Sequence, residues 1–361
     1  MIRTLATQRV DWIRVMHAAH NHGVLPLFVR NLVAAVGDTV PHEILQTLKR
    51  AVLAHTTRNL VLTNILTEIL LAFDEEGIPA IPLKGPVLAM VAYGDVSLRA
   101  YNDLDILVPR THVFRAMNML GARGYSPTFR LTRGQEEALF RFQHHHSLQT
   151  ADHDALVELH WSLKVGATWL KFSEGPIWER SWIATLNGVP VRCLTPEDLL
   201  LYVCVHASNH CWTRLAWVCD VAALLRTFPN MAWEELWERT ETLKARRQVL
   251  LGLLLADRLF SVTLPSDAQT LARRDKDLSY LLRRTLDYLL GGKVPGLGPT
   301  MTYQLAICES LTEKLRLIWH RVTAPDPLDV QIFSLPPPLF PLYAVIRPLR
   351  LFKKYVFSRH A

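Results

Sequence analysis

The chain of 361 residues has an ordinary globular composition, half hydrophobic and one fifth charged, and is long enough for two or three domains. Its net charge of +7 is compatible with an anionic substrate, with RNA or with an anionic membrane surface, and selects none of them. The sequence has no apolar signal core and no apolar run of about 18 residues, which excludes a transmembrane helix. Together with five cysteines that lack the spacing of a disulfide framework, this predicts a cytoplasmic protein.

Residues 1–77 are predicted to form an N-terminal helical region. Its longest helix opens at Pro41 and ends at Gly77, because glycine is a common residue at the end of a helix. Apolar residues recur along this helix at helical spacing. We therefore expect the helix to pack against the rest of the protein as a scaffold.

Residues 78–108 predict a strand, a Lys84-Gly85 turn, a helix over roughly Pro86 to Tyr93 and a second strand. Asp103 and Asp105 lie two positions apart in the second strand, so both side chains point to the same face, with Cα atoms about 6.5–7 Å apart. The N-terminus of the helix favours phosphate. Two carboxylates beside it indicate a site for a metal and a nucleotide.

Two further strands are predicted at residues 144–150 and 155–161, joined by a polar turn into a hairpin. In the second strand the apolar residues share one face, and Glu158 and His160 share the other. The alternation therefore places Glu158 on a polar face, where a third metal ligand could sit.

Three consecutive histidines, residues 144–146, suggest a zinc site, but no partner residue follows at zinc-ligand spacing. A solvated or hydrogen-bonded strand is the preferred interpretation. A contact with substrate is the alternative.

Residues 191–361 are predicted to be helical again, with a strong helix start at Thr-Pro-Glu-Asp, residues 195–198. His206 and His210 are four positions apart on this helix and share one face. A zinc cluster with the nearby cysteines is disfavoured, because Cys204 and Cys211 would point to other faces. Hydrogen bonding to a neighbouring helix or to the substrate is preferred.

Residues 230–322 predict three more helices, broken by Pro265 and by the linker GGKVPGLGP. The C-terminal tail is rich in proline and then basic and amphipathic. A docking helix with a solvated basic face is the default interpretation. A weak contact with an anionic membrane surface or RNA is the alternative.

These segments resemble the nucleotidyltransferase superfamily of the DNA polymerase β type, and most closely a bacterial branch described only as uncharacterised nucleotidyltransferases. The resemblance covers most of the chain and is specific as a constellation of motifs. It rests on LKG (83–85), Arg99, DLDILV (103–108), a helix ending in Gly-Tyr (124–125), VELHW (157–161) and HASNHCWTRLAWVCDVAALL (206–225).

The resemblance implies an α+β fold, with a polymerase β-like nucleotidyltransferase core and a small mixed sheet at residues 78–190, flanked by helical regions at 1–77 and 191–361. It implies three carboxylates that are catalytic and hold two Mg²⁺ ions, namely Asp103, Asp105 and Glu158. Glu158 would complete the ion that activates the acceptor, or act as its base.

The resemblance also implies a nucleotide-binding set, consisting of Lys84, Gly85, Arg99, His206, His210 and Arg214. In this set the Lys84-Gly85 turn and Arg99 would hold the β and γ phosphates. An equally weighted alternative is that Arg214 and Asp220 form a partly buried ion pair that holds two helices together.

The expected reaction moves a nucleoside monophosphate, with AMP the expected group, from ATP or another nucleoside triphosphate to an unidentified acceptor and releases pyrophosphate. The acceptor is a small molecule, a protein or tRNA. Two alternatives stay open. One is a toxin-like enzyme that modifies tRNA, which the basic pI favours. The other is an inactive binding subunit, which the presence of all three carboxylates disfavours.

Overall fold

A computed structural model of the chain describes residues 10–129, 131–140, 142–152, 155–165, 168–170, 175–292, 294–333 and 335–357. Its first described helices are α1 (Trp12–Asn21), α2 (Leu25–Val36) and α3 (His42–Glu75). Helix α3 has 34 residues and ends, as predicted, before Gly77, whose φ of 63° is left-handed. Within the described ranges, no helix combines the length and apolarity needed to cross a bilayer.

A mixed five-stranded sheet follows, with the strand order β1-β2-β5-β4-β3. β2 and β5 are parallel neighbours, and the other pairs are antiparallel, including the predicted β4–β5 hairpin. Helix α4 spans the predicted range. The elements are β1 (Ile81–Pro82), α4 (Pro86–Tyr93), β2 (Asp103–Leu107), α5 (Val113–Ala122), β3 (Ser126–Pro127), α6 (Arg133–Leu139), β4 (His145–Gln149) and β5 (Leu156–His160).

One face of the sheet packs against α3 and α5 and forms an apolar core. Leu104 and Ile106 of β2, and Val157 and Leu159 of β5, are fully buried there. Since successive residues of a strand point to opposite faces, the intervening positions of both strands face the other way. The candidate carboxylates occupy these intervening positions.

Two small hairpins after β5 were not predicted from the sequence. They are formed by β6 (Leu163–Val165) with β7 (Thr168–Leu170), and by β8 (Trp182–Leu186) with β9 (Val189–Cys193). The short helix α7 (Pro176–Arg180) lies between them.

The C-terminal half of the molecule is helical and begins with α8 (Pro196–Asn209) and α9 (Leu215–Thr227). Helix α8 starts as predicted, because the Thr195 hydroxyl accepts a hydrogen bond from the backbone N–H of Asp198 at 3.3 Å. Leu88 of α4 belongs to the same apolar core as residues of α8 and α9. This core joins the sheet to the C-terminal helices.

The prediction of three helices in residues 230–322 was wrong, since the described part of this range holds six. They are α10 (Trp233–Leu243), α11 (Arg246–Phe260), α12 (Ser266–Arg274), α13 (Leu278–Gly291), α14 (Leu297–Ile307) and α15 (Leu311–Thr323). Three of the breaks, at residues 244–245, 275–277 and 308–310, contain neither glycine nor proline and so lack the residues that most often mark the end of a helix.

The proline-rich tail forms α16 (Pro327–Ile332), a 3₁₀ segment and α17 (Tyr343–Phe357). Arg347 and Arg350 of α17 pair with Asp326 and Asp329, so two basic residues of the tail are engaged within the protein. Residues 358–361 lie outside the described ranges. Contact of the tail with an anionic surface therefore stays a prediction, as do the domain boundaries at residues 77 and 190, while the α+β fold class is confirmed.

Candidate active site

The predicted glycine turn lies directly beside β2. Gly85 has a φ of +63° and precedes Pro86, the first residue of α4. A Cβ atom at position 85 would lie 3.5 Å from the Asp103 carbonyl oxygen, so the turn runs close along the strand. A side chain at this position would be strained mainly by the positive φ, which favours glycine.

Lys84 forms ion pairs with both aspartates of β2. Its Nζ donates a hydrogen bond to Asp103 Oδ2 at 3.3 Å and lies 3.0 Å from Asp105 Oδ2. Burial acts to lower the pKa of Lys84, but the nearby charges of Asp105 and Asp103 outweigh burial and raise it. Lys84 is therefore a charged ammonium that partly neutralises the two carboxylates.

Strand β5 brings Glu158 and His160 to the same place. The parallel register pairs Asp105 with Glu158 across the two strands. His160 Nε2 donates a hydrogen bond to Asp105 Oδ1 at 2.9 Å and lies 3.5 Å from Glu158 Oε2. Asp105 and His160 are both buried.

The electrostatics of β5 follow from these contacts. Burial acts to raise the pKa of Glu158, but the hydrogen bond with His160 and the charges of His145 and His160 hold it at about 2. Burial acts to lower the pKa of His160, and its contacts with Asp105 and Glu158 raise it instead. The sequence alternation puts His160 on the polar face of its strand beside Glu158, and this shared face is the signal from which a role for His160 could have been predicted.

The residues present fit a divalent cation. One ligand atom each from Asp105, Glu158 and His160 can be chosen so that all three lie within 4.8 Å of one another. Among the described residues, no other group of three His, Cys, Asp or Glu side chains has this geometry. Carboxylate oxygens suit cations such as Mg²⁺ and Mn²⁺, whereas an imidazole nitrogen suits transition metals such as Zn²⁺ and Fe²⁺. Asp103, 3.3 Å from Lys84, is a further oxygen donor beside the group.

Arg99 is buried and forms an ion pair with Asp220, the residue for which the sequence suggested Arg214 as the partner. Its Nε donates to both carboxylate oxygens of Asp220 at 3.1 Å, and the Tyr93 hydroxyl donates to Oδ1 of Asp220 at 2.8 Å. The alternative of an Arg214–Asp220 ion pair is therefore wrong. It failed because sequence proximity favoured Arg214, whereas the fold brings Arg99 from the loop before β2 to α9.

The other wall of the site consists of aromatic rings on α8 and α9. The ring centroids of His206 and His210 are 4.8 Å apart, and each lies less than 6 Å from the ring of Trp217. Burial and the charge of Lys84 lower the pKa of both histidines, that of His206 strongly. Arg214 is exposed at the start of α9.

The carboxylates and Lys84 line one cavity of about 850 Å³ together with Arg99 and the rings of the helical wall, whereas Asp220 and Tyr93 are not part of its lining. It is lined by eight of the nine residues predicted for the site, the exception being Gly85, which lies next to it in the chain. Its lining includes Lys84, Arg99, Asp103, Asp105, His144, His145, Glu158, His160, His206, His210, Arg214, Trp217, Gln304 and Arg321.

The cysteines near α8 do not join this site. Cys204 is buried against Gly252 of α11, where a Cβ atom on the glycine would lie 2.5 Å from the Cys204 sulfur. Burial raises the pKa of Cys204, as it does for Cys211. Both thiols are therefore uncharged core groups, which agrees with the disfavoured zinc cluster.

Comparison with known proteins identifies the relatives of the chain. The sequence model of a family described as "Uncharacterised nucleotidyltransferase" matches residues 8–261. No curated protein sequence matches.

Several solved structures are similar in fold. A crystal structure of ANT(2″)-Ia in complex with adenylyl-2″-tobramycin is 15% identical, with a TM-score of 0.38, over 52% of this chain and 98% of that one. A solution structure of the antibiotic-resistance factor ANT(2″)-Ia is 16% identical, with a TM-score of 0.37, over 53% and 96%. An antigenic nucleotidyltransferase-like protein from Paracoccidioides brasiliensis is 12% identical, with a TM-score of 0.32, over 63% and 92%.

Proposed function

This chain belongs to the uncharacterised nucleotidyltransferase family, and we propose that it transfers a nucleoside monophosphate from a nucleoside triphosphate to an acceptor with the help of divalent metal ions. The observation that carries the proposal is the meeting of Asp103 and Asp105 from β2 with Glu158 from β5 in one cavity. Lys84 and His160 offset part of the negative charge of these three side chains, and the remaining negative charge favours the binding of cations.

The carboxylates would hold Mg²⁺, as two ions shared by Asp103 and Asp105 with Glu158 completing one of them. When bound, these ions neutralise charge on the triphosphate and orient the attacking and leaving groups. His160 holds Asp105 through its 2.9 Å hydrogen bond, which fixes the direction of the carboxylate. Lys84 forms ion pairs with both aspartates and so offsets part of their mutual repulsion.

The proposed reaction is an in-line displacement at the α-phosphorus. A hydroxyl or amine of the acceptor forms a bond to the α-phosphorus while the bond to the bridging oxygen breaks and pyrophosphate leaves. The proton of the acceptor passes to Glu158 or to water. Because the pKa of Glu158 is held at about 2, we favour its role as a metal ligand over that of a strong base.

The nucleotide would lie between the carboxylates and the helical wall. Lys84 and Arg99 both have carboxylate partners in the protein, so they offer the phosphates only their remaining N–H groups. Arg214 forms no ion pair among the described residues and is exposed to the cavity, which favours it as a phosphate contact. The rings of His206, His210 and Trp217 offer a flat uncharged surface on which a base such as adenine can stack.

The activity is tested with α-labelled ATP, Mg²⁺ or Mn²⁺ and a cell extract as the source of acceptors. We expect label in one product class for the wild type and at least about a hundredfold less for Asp103→Asn/Asp105→Asn. Asp152→Asn is the matched control, because Asp152 is exposed on the turn between β4 and β5. RNase, protease and size separation of the product then identify the acceptor class.

Metal binding is tested apart from turnover. Free Mn²⁺ is measured by electron paramagnetic resonance during titration of the wild type, Glu158→Gln and Asp152→Asn. The proposal expects weaker Mn²⁺ binding for Glu158→Gln alone. Absence of both labelled product and metal-dependent nucleotide binding would instead indicate a binding subunit.

A further inference from the structure

A second, smaller cavity of about 310 Å³ adjoins the active-site cavity. The two cavities share three wall residues, His144, His145 and Arg321. The small cavity lies between the sheet segment at residues 127–147 and the C-terminal segment at residues 320–347. The C-terminal segment lies beyond the part of the chain that matches the family, residues 8–261.

His145, which lines both cavities, lies next to the carboxylates. His145 Nε2 lies 3.9 Å from Glu158 Oε1, and the His145 ring stacks on the His160 ring at 5.1 Å. A group that extends from the small cavity past His145 therefore arrives beside Glu158, at the carboxylate cluster. This is where an attacking group has to approach a nucleotide held by the metal site.

Arg321, on α15, brings positive charge to the junction of the two cavities. It donates a hydrogen bond from one terminal nitrogen to Gln304 Oε1 at 2.7 Å, while its Nε is buried without a hydrogen-bond partner. Among the described residues it pairs with no carboxylate. By contrast, Arg347 and Arg350 nearby are both paired with aspartates.

The surroundings of Arg321 leave its charge uncompensated. Burial and repulsion from Arg347 lower its pKa, whereas a carboxylate partner would raise it. A buried donor without a partner costs free energy that a bound anion would recover. Arginine is well suited to phosphate and carboxylate because its planar group can donate two parallel hydrogen bonds.

The rest of the small cavity has an apolar part and a polar part, and the polar part includes Asp326, which pairs with Arg347 and Arg350. Phe129, Leu131 and Phe142 contribute to its lining. Glu136 also faces it and can accept a hydrogen bond from a hydroxyl or amine of a ligand. A cavity of this size, with an apolar part and several polar groups, fits a small organic molecule.

We propose that the small cavity binds the acceptor, and that this acceptor is a small molecule with an apolar body and an anionic group that pairs with Arg321. The anionic group is a phosphate or a carboxylate. This inference rests on the proposed nucleotidyl transfer for its biological meaning, whereas the binding of the anion is independent of turnover.

The binding step is tested with phenyl phosphate and benzoate as probes and with benzamide as the matched neutral compound. Isothermal titration is expected to show that one or both anions bind the wild type, and that Arg321→Gln weakens this binding about tenfold. Arg316→Gln is the control, because Arg316 is exposed on the same helix. Equal binding of the anions to the wild type and Arg321→Gln, or preference for benzamide, overturns the proposal.

The acceptor is then sought in the low-molecular-weight fraction of a cell extract, separated on an anion-exchange resin and incubated with α-labelled ATP. Labelled product is expected from the retained fraction, about tenfold less with Arg321→Gln, with the affinity for a non-hydrolysable ATP analogue unchanged. Phosphatase treatment of the fraction separates phosphate acceptors from carboxylate acceptors. Label from the unretained fraction, RNA or protein overturns the inference and leaves nucleotidyl transfer intact, whereas loss of metal-dependent nucleotide binding contradicts nucleotidyl transfer itself.

Discussion

The two sides of the active-site cavity differ in whether their charged groups have partners of opposite charge within the protein. On the carboxylate side every charged group has a partner of opposite sign within the protein; this side consists of Lys84, Asp103, Asp105, Glu158 and His160. On the helical side the imidazoles are uncharged and the arginines have no carboxylate among the described residues; this side consists of His206, His210, Arg214 and Arg321.

Two histidines show the physical origin of this difference. His160 and His206 are both largely enclosed, and burial acts to lower the pKa of each. Contact with Asp105 and Glu158 raises the pKa of His160, whereas the charge of Lys84 lowers that of His206 further. The comparison indicates that contacts within the protein compensate the charges of the carboxylate side. The arginines of the helical side have no such partner among the described residues, so we expect them to bind anionic ligands.

The largest expected effect is a loss of stability when the buried ion pair between Arg99 and Asp220 is broken. Asp220→Asn leaves the buried Arg99 guanidinium without its counter-charge and should lower the free energy of unfolding by about 3–5 kcal/mol. Urea unfolding measures this. Asp257→Asn, an exposed helical aspartate, should change stability by less than about 0.5 kcal/mol. Similar free energies of unfolding for the two variants would show that the ion pair between Arg99 and Asp220 does not contribute to stability.

The next effect concerns turnover. Asp105→Asn removes the charge that Lys84 and His160 share and should lower nucleotidyl transfer by about 10²–10³-fold. Steady-state kinetics with α-labelled ATP measure the loss, and Asp152→Asn serves as the control. Wild-type turnover in Asp105→Asn would contradict the assignment of the carboxylate side.

A smaller effect is expected on the helical side, where Arg214 is free to bind phosphate. Arg214→Gln should weaken the binding of a non-hydrolysable ATP analogue about tenfold and leave the urea midpoint unchanged. Arg283→Gln, an exposed arginine on α13, is the control. A loss of stability without a loss of affinity would place Arg214 with the structural charges instead.

The smallest effect is a pH dependence of stability that arises from His206. Its folded pKa lies below the ordinary value of 6.5, so below pH 6.5 the unfolded chain binds a proton that the folded protein does not. Stability is therefore lost as the pH falls below 6.5. Between pH 7.5 and 5.5, His206→Gln should lose about 1 kcal/mol less than the wild type in urea unfolding. An equal loss in both proteins would mean that His206 takes up a proton in the folded state.

Local patterns in the sequence were sufficient to predict much of the fold and the centre of the site. Alternation in β5 placed Glu158 on the polar face, and the bounds of α4 followed from its turn and proline. The fold class is confirmed, whereas the roles of the nine proposed residues stay predictions. These local features depend on residues within one element, which is why a single sequence reveals them.

Contacts between distant segments could not be predicted in this way. Asp220 pairs with Arg99 and not with nearby Arg214, because the partner is chosen by how α9 packs against the loop before β2. Arg321 reaches the active-site cavity from far along the chain. No local sequence pattern predicts a contact between such distant segments. Helix breaks without glycine or proline were missed because local residue types do not mark them.

The parallel register of β2 and β5 has a consequence for how the site appears during folding. A shift of one residue would turn Glu158 into the apolar core and bring Val157 to the cavity, so a neighbouring register would bury a charge and expose core surface at once. A register shifted by one residue between β2 and β5 is therefore strongly disfavoured. Pairing of the two strands is therefore what brings the candidate carboxylates together, and Lys84 and the helical wall complete the cavity around them.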